Sequence, residues 1–432
     1  IVPAMLAGNS TLNTLQSGAP KRALAFIYAF VVLDVLSFGM IIPVFPKLVE
    51  QFTGSTGAAA SLIGVFAASW ALMQFLFSPM AGMLSDRFGR RPVLLISCTG
   101  LGLDFLLMAL APNLWWLWLG RLISGLTMAS FSTSSAYIAD VTAPEKRAGA
   151  YGMLGAAFGL GFVLGPALGG ILGSIDLRLP FFLAAGCALA NALYGIFVLP
   201  ESLAPKNRTK VFNWRRANPV GALILLRSHV QLTGFAAIHF CMTLMHNVFP
   251  SIFVLYAGYR YGWSEIQVGL VLAGVGACNI IVMGGLVKPV VKHFGERTAL
   301  LAGLFSGAIG VTLYAFADTA YMFWFAVPFA ALTSLHAPAL QGLMTKLVSP
   351  AQQGALQGAT SSITGVTGML GPIIFTQIFA YAIAPERGDP MPGAPFLLAG
   401  AILWLALGLA AWVTRRRAEQ VETIDEPAAE TA

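Results

Sequence analysis

Long apolar runs recur along the whole chain, each broken by a short polar or Gly/Pro-bearing stretch. Twelve of them are long enough to cross the hydrocarbon of a bilayer as helices, which takes about 20 residues at a rise of about 1.5 Å each. Their limits are 23–46, 60–81, 92–111, 114–138, 147–173, 181–199, 230–256, 265–287, 298–316, 321–343, 353–383 and 396–414. The fifth and eleventh are among the longest and are expected to tilt or protrude. Inside lipid every backbone polar group must be paired within the chain, and runs of this length do so as helices. The pattern predicts an all-α membrane protein.

The polar punctuation repeats. Residues 82–95 read GMLSDRFGRRPVLL, and 206 positions later residues 288–301 read KPVVKHFGERTALL. Without a gap, Phe88-Gly89 falls on Phe294-Gly295, Arg91 on Arg297 and Leu94-Leu95 on Leu300-Leu301. The same offset carries Pro144 onto Pro350, Gly152 onto Gly358, Gly159 onto Gly365 and Gly165-Pro166 onto Gly371-Pro372. Pro180-Phe181 and Pro395-Phe396 open the sixth and twelfth spans at an offset of 215, the extra residues lying in the Pro/Gly-rich loop 385–395. An offset near half the chain length means two copies of one architecture, which in an apolar chain is the mark of a two-bundle transporter. The expected divisions are a disordered lead at 1–20, a six-helix bundle at 21–200, a cytoplasmic linker at 201–229, a second six-helix bundle at 230–414 and a disordered tail at 415–432. Residues 218–227 have the make-up of a short amphipathic helix on the membrane surface, or of a plain tether.

Composition agrees with this reading: of 432 residues 57% are hydrophobic and 10% charged, against about a quarter charged in soluble domains. The net charge of +7 does not indicate nucleic-acid binding, because Lys and Arg sort by loop. With both termini placed in the cytoplasm, 20 of the 25 basic residues fall on that side, as the positive-inside rule requires. Only Lys47, Arg178, Arg260 and Arg387 fall outside, and Arg121 lies within a span. Cys98, Cys187, Cys241 and Cys278 stand singly in different spans and are expected to pack as small apolar groups. No metal-ligand spacing, nucleophile–base pair or Walker A loop occurs, so neither a metal, a cofactor, an enzymatic reaction nor ATP drive is expected. One chain holds all twelve spans and is expected to act as a monomer in the lipid bilayer.

Two constellations suit a moving membrane protein. In the loop after the second span, Gly82 is expected to let helices approach, Asp86 and Arg87 sit at the inner mouth, and Arg90 and Arg91 are placed to meet carboxylates or lipid phosphates. Asp86 is placed to face the positive N-terminal end of a neighbouring helix. Such contacts must break when bundles rock, so they can latch one conformation. In the fifth span, Gly161, Gly165, Gly169 and Gly170 with Pro166 give G-x-x-x-G-P-x-x-G-G, a smooth face for tight packing with a bend at the proline.

These residues carry a resemblance. LDVLSFGMIIPVFP resembles the first-helix motif of drug/proton antiporters in the major facilitator superfamily, and GMLSDRFGRRPVLL resembles that superfamily's signature loop. Arg121 to Gly125 is similar to its fourth-helix R-x-x-x-G, and the G-x-x-x-G-P-x-x-G-G run to the fifth-helix motif of the antiporter branch. HAPALQGLMTKLVSPAQQGALQG resembles the tetracycline/proton antiporter subfamily. The resemblance implies the major facilitator fold, two pseudo-symmetric six-helix bundles in a bacterial inner membrane, and drug export. Two departures stand out: the subfamily's ninth-helix acidic residue aligns with Gly307, and its eighth-helix polar position falls near Met283.

Charges within the spans are the functional candidates, since each is costly in lipid unless it meets a partner or a wet cavity. Asp34 is twelve residues past Arg22 and Asp104 thirteen past Arg91, roughly 18 and 20 Å along a helix, so both lie near mid-depth. Arg121 enters from the outer side and Asp140 lies nearer the inner end of the fourth span. A carboxylate in a poorly hydrated cavity holds its proton more tightly than one in water. Asp34 is accordingly expected to be the main proton carrier, binding a cationic substrate when ionised and releasing it when protonated. Asp104 is expected to share that role, and Arg121 to tune either by pairing. The second half has no mid-membrane carboxylate. Its interior polar candidates are His239, His246, Asn247, Asn279, His336, Gln341 and Gln377, with Pro338 expected to break the helix beside His336. The expected substrate path is lined by Asp34, Gln74, Asp104, Arg121, His336 and Gln341. The resulting expectation is a proton-coupled exporter of small amphipathic or cationic compounds; a proton-coupled or facilitated importer of a nutrient and a non-transporting receptor or scaffold remain open.

Overall fold

The computed structural model describes residues 9–127, 130–143, 146–205, 208, 226, 230–349 and 352–425. Pro144, Pro350 and, apart from Leu226, the stretch 218–227 lie outside them. Among the described residues all regular structure is helical: α1 (Asn9–Ile41), α2 (Phe45–Thr53), α3 (Thr56–Phe88), α4 (Arg90–Ala109), α5 (Leu114–Thr127), α6 (Ser130–Val141), α7 (Arg147–Gly173), α8 (Leu179–Val198), α9 (Val230–His246), α10 (Val248–Tyr261), α11 (Glu265–Ile281), α12 (Val287–Phe316), α13 (Ala320–Ala331), α14 (His336–Thr345), α15 (Gln353–Ala382) and α16 (Ala394–Asp425). Ten of the resulting helical stretches are long and apolar enough to cross a membrane. The count meets the twelve expected spans in two places. Glu265–Phe316 runs as one stretch holding the eighth and ninth, and the fourth is described as α5 and α6, residues 128 and 129 lying outside the described residues.

The helices end where the sequence changes character, with two extensions. α1 begins at Asn9 and α16 continues to Asp425, so helix reaches into both segments expected to be disordered. In the tail the cause is local, since Ala418, Glu419 and Gln420 are good helix formers. The tenth span is broken as Pro338 required. A 3-10 turn at Leu332–Leu335 separates α13 from α14, because a proline cannot return a hydrogen bond to the preceding turn.

The repeat is visible in the backbone. Gly89 sits at φ 111, ψ 163 between α3 and α4, and Gly295, 206 positions on, sits at φ 77, ψ 166 inside α12. A φ in this range is easy only for glycine, so each half turns its second helix into its third at one glycine. Gly54 and Gly262, both with positive φ, likewise precede the second helix of each half.

By contacts the chain forms two compact units, Ile1–Phe45 with Leu76–Ala217, and Pro46–Phe75 with Asn218–Ala432. The first part of α3 belongs to the second unit. There an added Cβ on Gly64 would lie 3.2 Å from Pro372 O of α15, and one on Gly365 of α15 would meet the Phe75 ring.

In the first unit α1 packs on α7, α8 and α6, and α4 packs on α8, α5 and α6. The α1–α7 contact is made by the glycine motif. Added Cβ atoms on Gly161 and Gly165 would fall 2.8 Å from Val35 Cβ and 2.7 Å from Gly39 Cα, and one on Gly169 would fall 2.9 Å from Met40 Cα. Pro166 and Gly170 are buried in the same face. The helix carrying Asp34 is thus seated backbone-to-backbone on the fifth-span motif. In the second unit α12 packs on α16, α13 and α14, and α9 on α16 and α15. Tyr256, Tyr314, Phe323 and Phe396 form a fully buried aromatic knot there. Large apolar side chains such as Ile96, Leu103, Phe197, Phe325 and Leu405 point outward; in water they would drive aggregation, whereas lipid solvates them.

Candidate functional site

The inner corner of the first unit is held by one arginine. Arg90 Nε donates to Asp140 Oδ2 at 3.1 Å, and Arg90 Nη1 donates to Ser85 Oγ at 3.0 Å and to Asp86 Oδ1. Asp86 therefore faces Arg90 of its own loop. Ser202 Oγ donates to the same Asp140 oxygen at 3.0 Å. The Arg91 guanidinium turns to backbone: Nε donates to Gly195 O at 3.5 Å and Nη2 to Ile196 O. It bonds carbonyls at the C-terminal end of α8, where a cation also complements the helix dipole. Arg87 is exposed, its guanidinium 5.3 Å from the centre of the Phe88 ring. An added Cβ on Gly82 would meet no atom within 4 Å, so the close approach expected there is not made.

Gly89 has no side chain with which to cap α4, and Glu201 supplies the cap from beyond α8. Arg90 N donates to Glu201 Oε1 at 2.8 Å, Arg91 N to Oε2 at 3.3 Å, and Leu203 N to Oε1 at 3.0 Å. A carboxylate at a helix N-terminus satisfies orphan N–H groups and complements the dipole. Sequence reasoning missed Glu201; the signal was an acid just after the sixth span and a helix start lacking a cap of its own.

Deeper in the unit, Arg121 pairs with Asp104. Nη2 donates to Asp104 Oδ2 at 3.3 Å and to Met108 Sδ at 3.5 Å, and the guanidinium lies 5.1 Å from the centre of the Phe45 ring. Asp104 is 0% and Arg121 7% exposed, so neither charge has water to fall back on. Gly120 makes room for the pair, since a Cβ there would press on Asp104 Oδ1.

Asp34 is 8% exposed. Its Oδ1 accepts from Cys98 Sγ at 3.6 Å, and Asn191 Nδ2 donates to Cys98 Sγ at 3.6 Å and to Phe30 O at 2.9 Å. Cys98 is therefore a hydrogen-bonding neighbour of the candidate proton carrier as well as a packing group. Asn191, buried in α8, is a second residue the sequence reading missed; an amide amid CALANALYGIF was its signal.

In the second unit His336 Nδ1 lies 2.5 Å from Thr333 O, and a carbonyl only accepts, so this nitrogen carries the proton. His239 Nε2 lies 3.3 Å from Thr364 Oγ1. His246 is exposed at the end of α9, and Asn247 Nδ2 donates to Thr243 O and Thr367 O. Asn279 Oδ1 accepts from Ser334 Oγ and Gln377 Oε1 from Ser61 Oγ. Gln74 and Gln341 are half-buried. At Gly307, an added Cβ would meet Thr333 Cβ at 3.1 Å, so a carboxylate does not fit.

Apolar spans in two halves sharing a repeat, with an ion pair and a further buried acid inside one half, define a membrane transporter. The sequence profile of the Major Facilitator Superfamily matches residues 27–372 and 235–431, and the chain belongs to that family. It is 38% identical over 368 residues to the class C tetracycline resistance protein of Escherichia coli, covering 85% of this chain and 92% of that protein. It is 32% identical to the class H tetracycline resistance protein of Pasteurella multocida, covering 94% and 100%. The crystal structure of the human organic anion transporter MFSD10 (TETRAN) superposes with a TM-score of 0.68 at 21% identity, over 90% of this chain and 99% of that one, which bears on the fold alone.

Proposed function

We propose that this chain exports small amphipathic or cationic compounds, tetracycline-like in class, in exchange for protons, by alternating access across a bacterial inner membrane with both termini in the cytoplasm. Asp34 carries the proton, and Asp104 with Arg121 shares and tunes the exchange. Asp34, Gln74, Asp104, Arg121, His336 and Gln341 contribute to the substrate path. Gly82, Asp86, Arg87, Gly89, Arg90, Arg91 and Asp140, with the fifth-span residues Gly161, Gly165, Pro166, Gly169 and Gly170, serve the change of conformation. A monomer in lipid suffices.

The observation that carries this reading is the set of three charges buried within apolar spans, two of them paired at 3.3 Å. Intramembrane charge is costly and a scaffold gains nothing from it. Identity with tetracycline resistance proteins over most of the chain supports export. The substrate class is kept broad because Gly307 has no space for the subfamily's ninth-span acid. The test is flux in everted membrane vesicles under an imposed proton gradient, across a compound panel that includes tetracycline. Wild-type protein accumulates at least one compound and Asp34→Asn, folded to the same extent, accumulates none. Full activity of Asp34→Asn removes the role of Asp34, and absence of gradient-driven flux for every compound removes antiport.

A further inference from the structure

Cys98 is fully buried in the apolar cluster of the first unit, beside Phe30, Val31, Leu94, Tyr137 and Ile138, yet its hydrogen-bond partners are polar. The proton count fixes the direction of each bond. Asn191 has two amide protons at Nδ2; one goes to Phe30 O and the other to Cys98 Sγ. Sulfur accepts that hydrogen bond on a lone pair and keeps one S–H, which points at Asp34 Oδ1 at 3.6 Å. Phe30 lies one turn before Asp34 on α1. Three helices, α1, α4 and α8, are tied together through one thiol that ends on one carboxylate.

We propose that Cys98, aligned by Asn191, is a positioning residue for Asp34. Its S–H holds the carboxylate in one orientation while ionised, and the contact loosens when Asp34 takes up its proton. This rests on the reading of Asp34 as proton carrier. A thiol suits the task because it is a weak donor and a weak acceptor, able to follow a neighbour between two protonation states without a fixed demand. Other charged and titratable groups lie on the elements around α1, and most are engaged with partners of their own. Tyr28 donates to Ala150 O, Tyr137 to Pro200 O and Tyr151 to Ser135 O. Asp140 pairs with Arg90, Arg147 binds Ala139 O and Thr142 O, Asp104 pairs with Arg121, and the Tyr194 ring stacks edge-on with Phe26. Cys187 on α8 is a free thiol.

The S–H stretch of Cys98 reads the contact directly in a full-length chain whose Cys187, Cys241 and Cys278 are replaced by alanine. Infrared difference spectra between acid and neutral buffer should show this band moving, and adding Asp34→Asn should abolish the movement. In vesicles, Cys98→Ala should lower maximal proton-driven flux about five-fold, the rate equivalent of one hydrogen bond, with substrate KM unchanged, and Cys98→Ser should recover most of it. A band indifferent to pH overturns the proposal, as does a moving band with unaltered flux in both variants. If Cys98→Ala does not fold, the band and the Cys98→Ser flux decide. A fully active Asp34→Asn protein would instead remove the reading on which the proposal rests.

Discussion

The corners after the second and eighth spans share a backbone and differ in charge. Gly89 and Gly295 make the same turn 206 residues apart. The same offset carries Arg90 onto Glu296 and Asp140 onto Lys346, and both pairs are bonded: Arg90 Nε to Asp140 Oδ2 at 3.1 Å, and Lys346 Nζ to Glu296 Oε2 at 2.7 Å. Asp86 likewise falls on Lys292. Each half thus ties its loop to the end of its fourth helix with an ion pair in the same place and of opposite sign. The cores diverge further. Asp34, Asp104 and Arg121 fall on Phe240, Gly310 and Val327. Where the first unit opens a gap for an ion pair, the second closes α12 onto α13, an added Cβ on Gly310 lying 2.9 Å from Ala330 Cα. What the repeat preserves is geometry, the turn and the tie. The chemistry of charge was left free to be placed in one half.

The largest effect that tests this contrast is at the buried pair. Arg121→Ala leaves Asp104 buried without its cation and should cost about 3–5 kcal/mol, whereas Asp104→Asn with Arg121→Gln should restore much of that stability without restoring transport. Thermal unfolding in detergent checks it, and an Arg121→Ala protein as stable as wild type would show that the pair is not desolvated. Next is the counterpart, Gly310→Ala, which forces a methyl into the α12–α13 contact and should cost about 1–3 kcal/mol; no loss would mean that the helices are not in close contact.

The two turn glycines come third. Alanine at either must adopt a positive φ, an incompatibility that costs more than about 1 kcal/mol. Gly89→Ala should be the worse, because its Cβ would also fall 2.6 Å from the Glu201 carboxyl carbon while Gly295 has open space. Equal losses would argue against the Glu201 cap. The smallest effect is at the inverted ties. Lys346 is 56% exposed in its pair, so Lys346→Ala should change stability by less than about 1 kcal/mol. Arg90→Ala should cost more, since Arg90 is 11% exposed and serves two carboxylates. The reverse order would break the comparison.

Much of this was readable beforehand for a physical reason. Lipid demands long apolar helices, so hydropathy located the spans, and the demand of a turn for glycine located the corners. Counting residues from the basic loops placed Asp34 and Asp104 inside apolar spans, and both lie on helices long and apolar enough to cross a membrane. Azimuth was not readable. Arg121 was expected to pair with either acid, and only the packing of α4 on α5 selects Asp104. Cys98 was expected to be plain packing, and only the meeting of α1, α4 and α8 makes it a donor to Asp34. Arg91 was placed to meet carboxylates or phosphates; its backbone N–H reaches the Glu201 carboxylate and its guanidinium the end of α8, both more than 100 positions along the chain.

The sequence by itself determined the helical membrane class, the duplicated halves, the glycine turns and the list of charges that lipid makes expensive, because each follows from what one segment needs from its solvent. Tertiary structure alone decided which charge meets which, which carboxylate caps α4 and which thiol reaches Asp34. Those partners lie on separate helices, and a hydrogen bond depends on ångström distances that the helices' mutual rotation sets and no local pattern encodes.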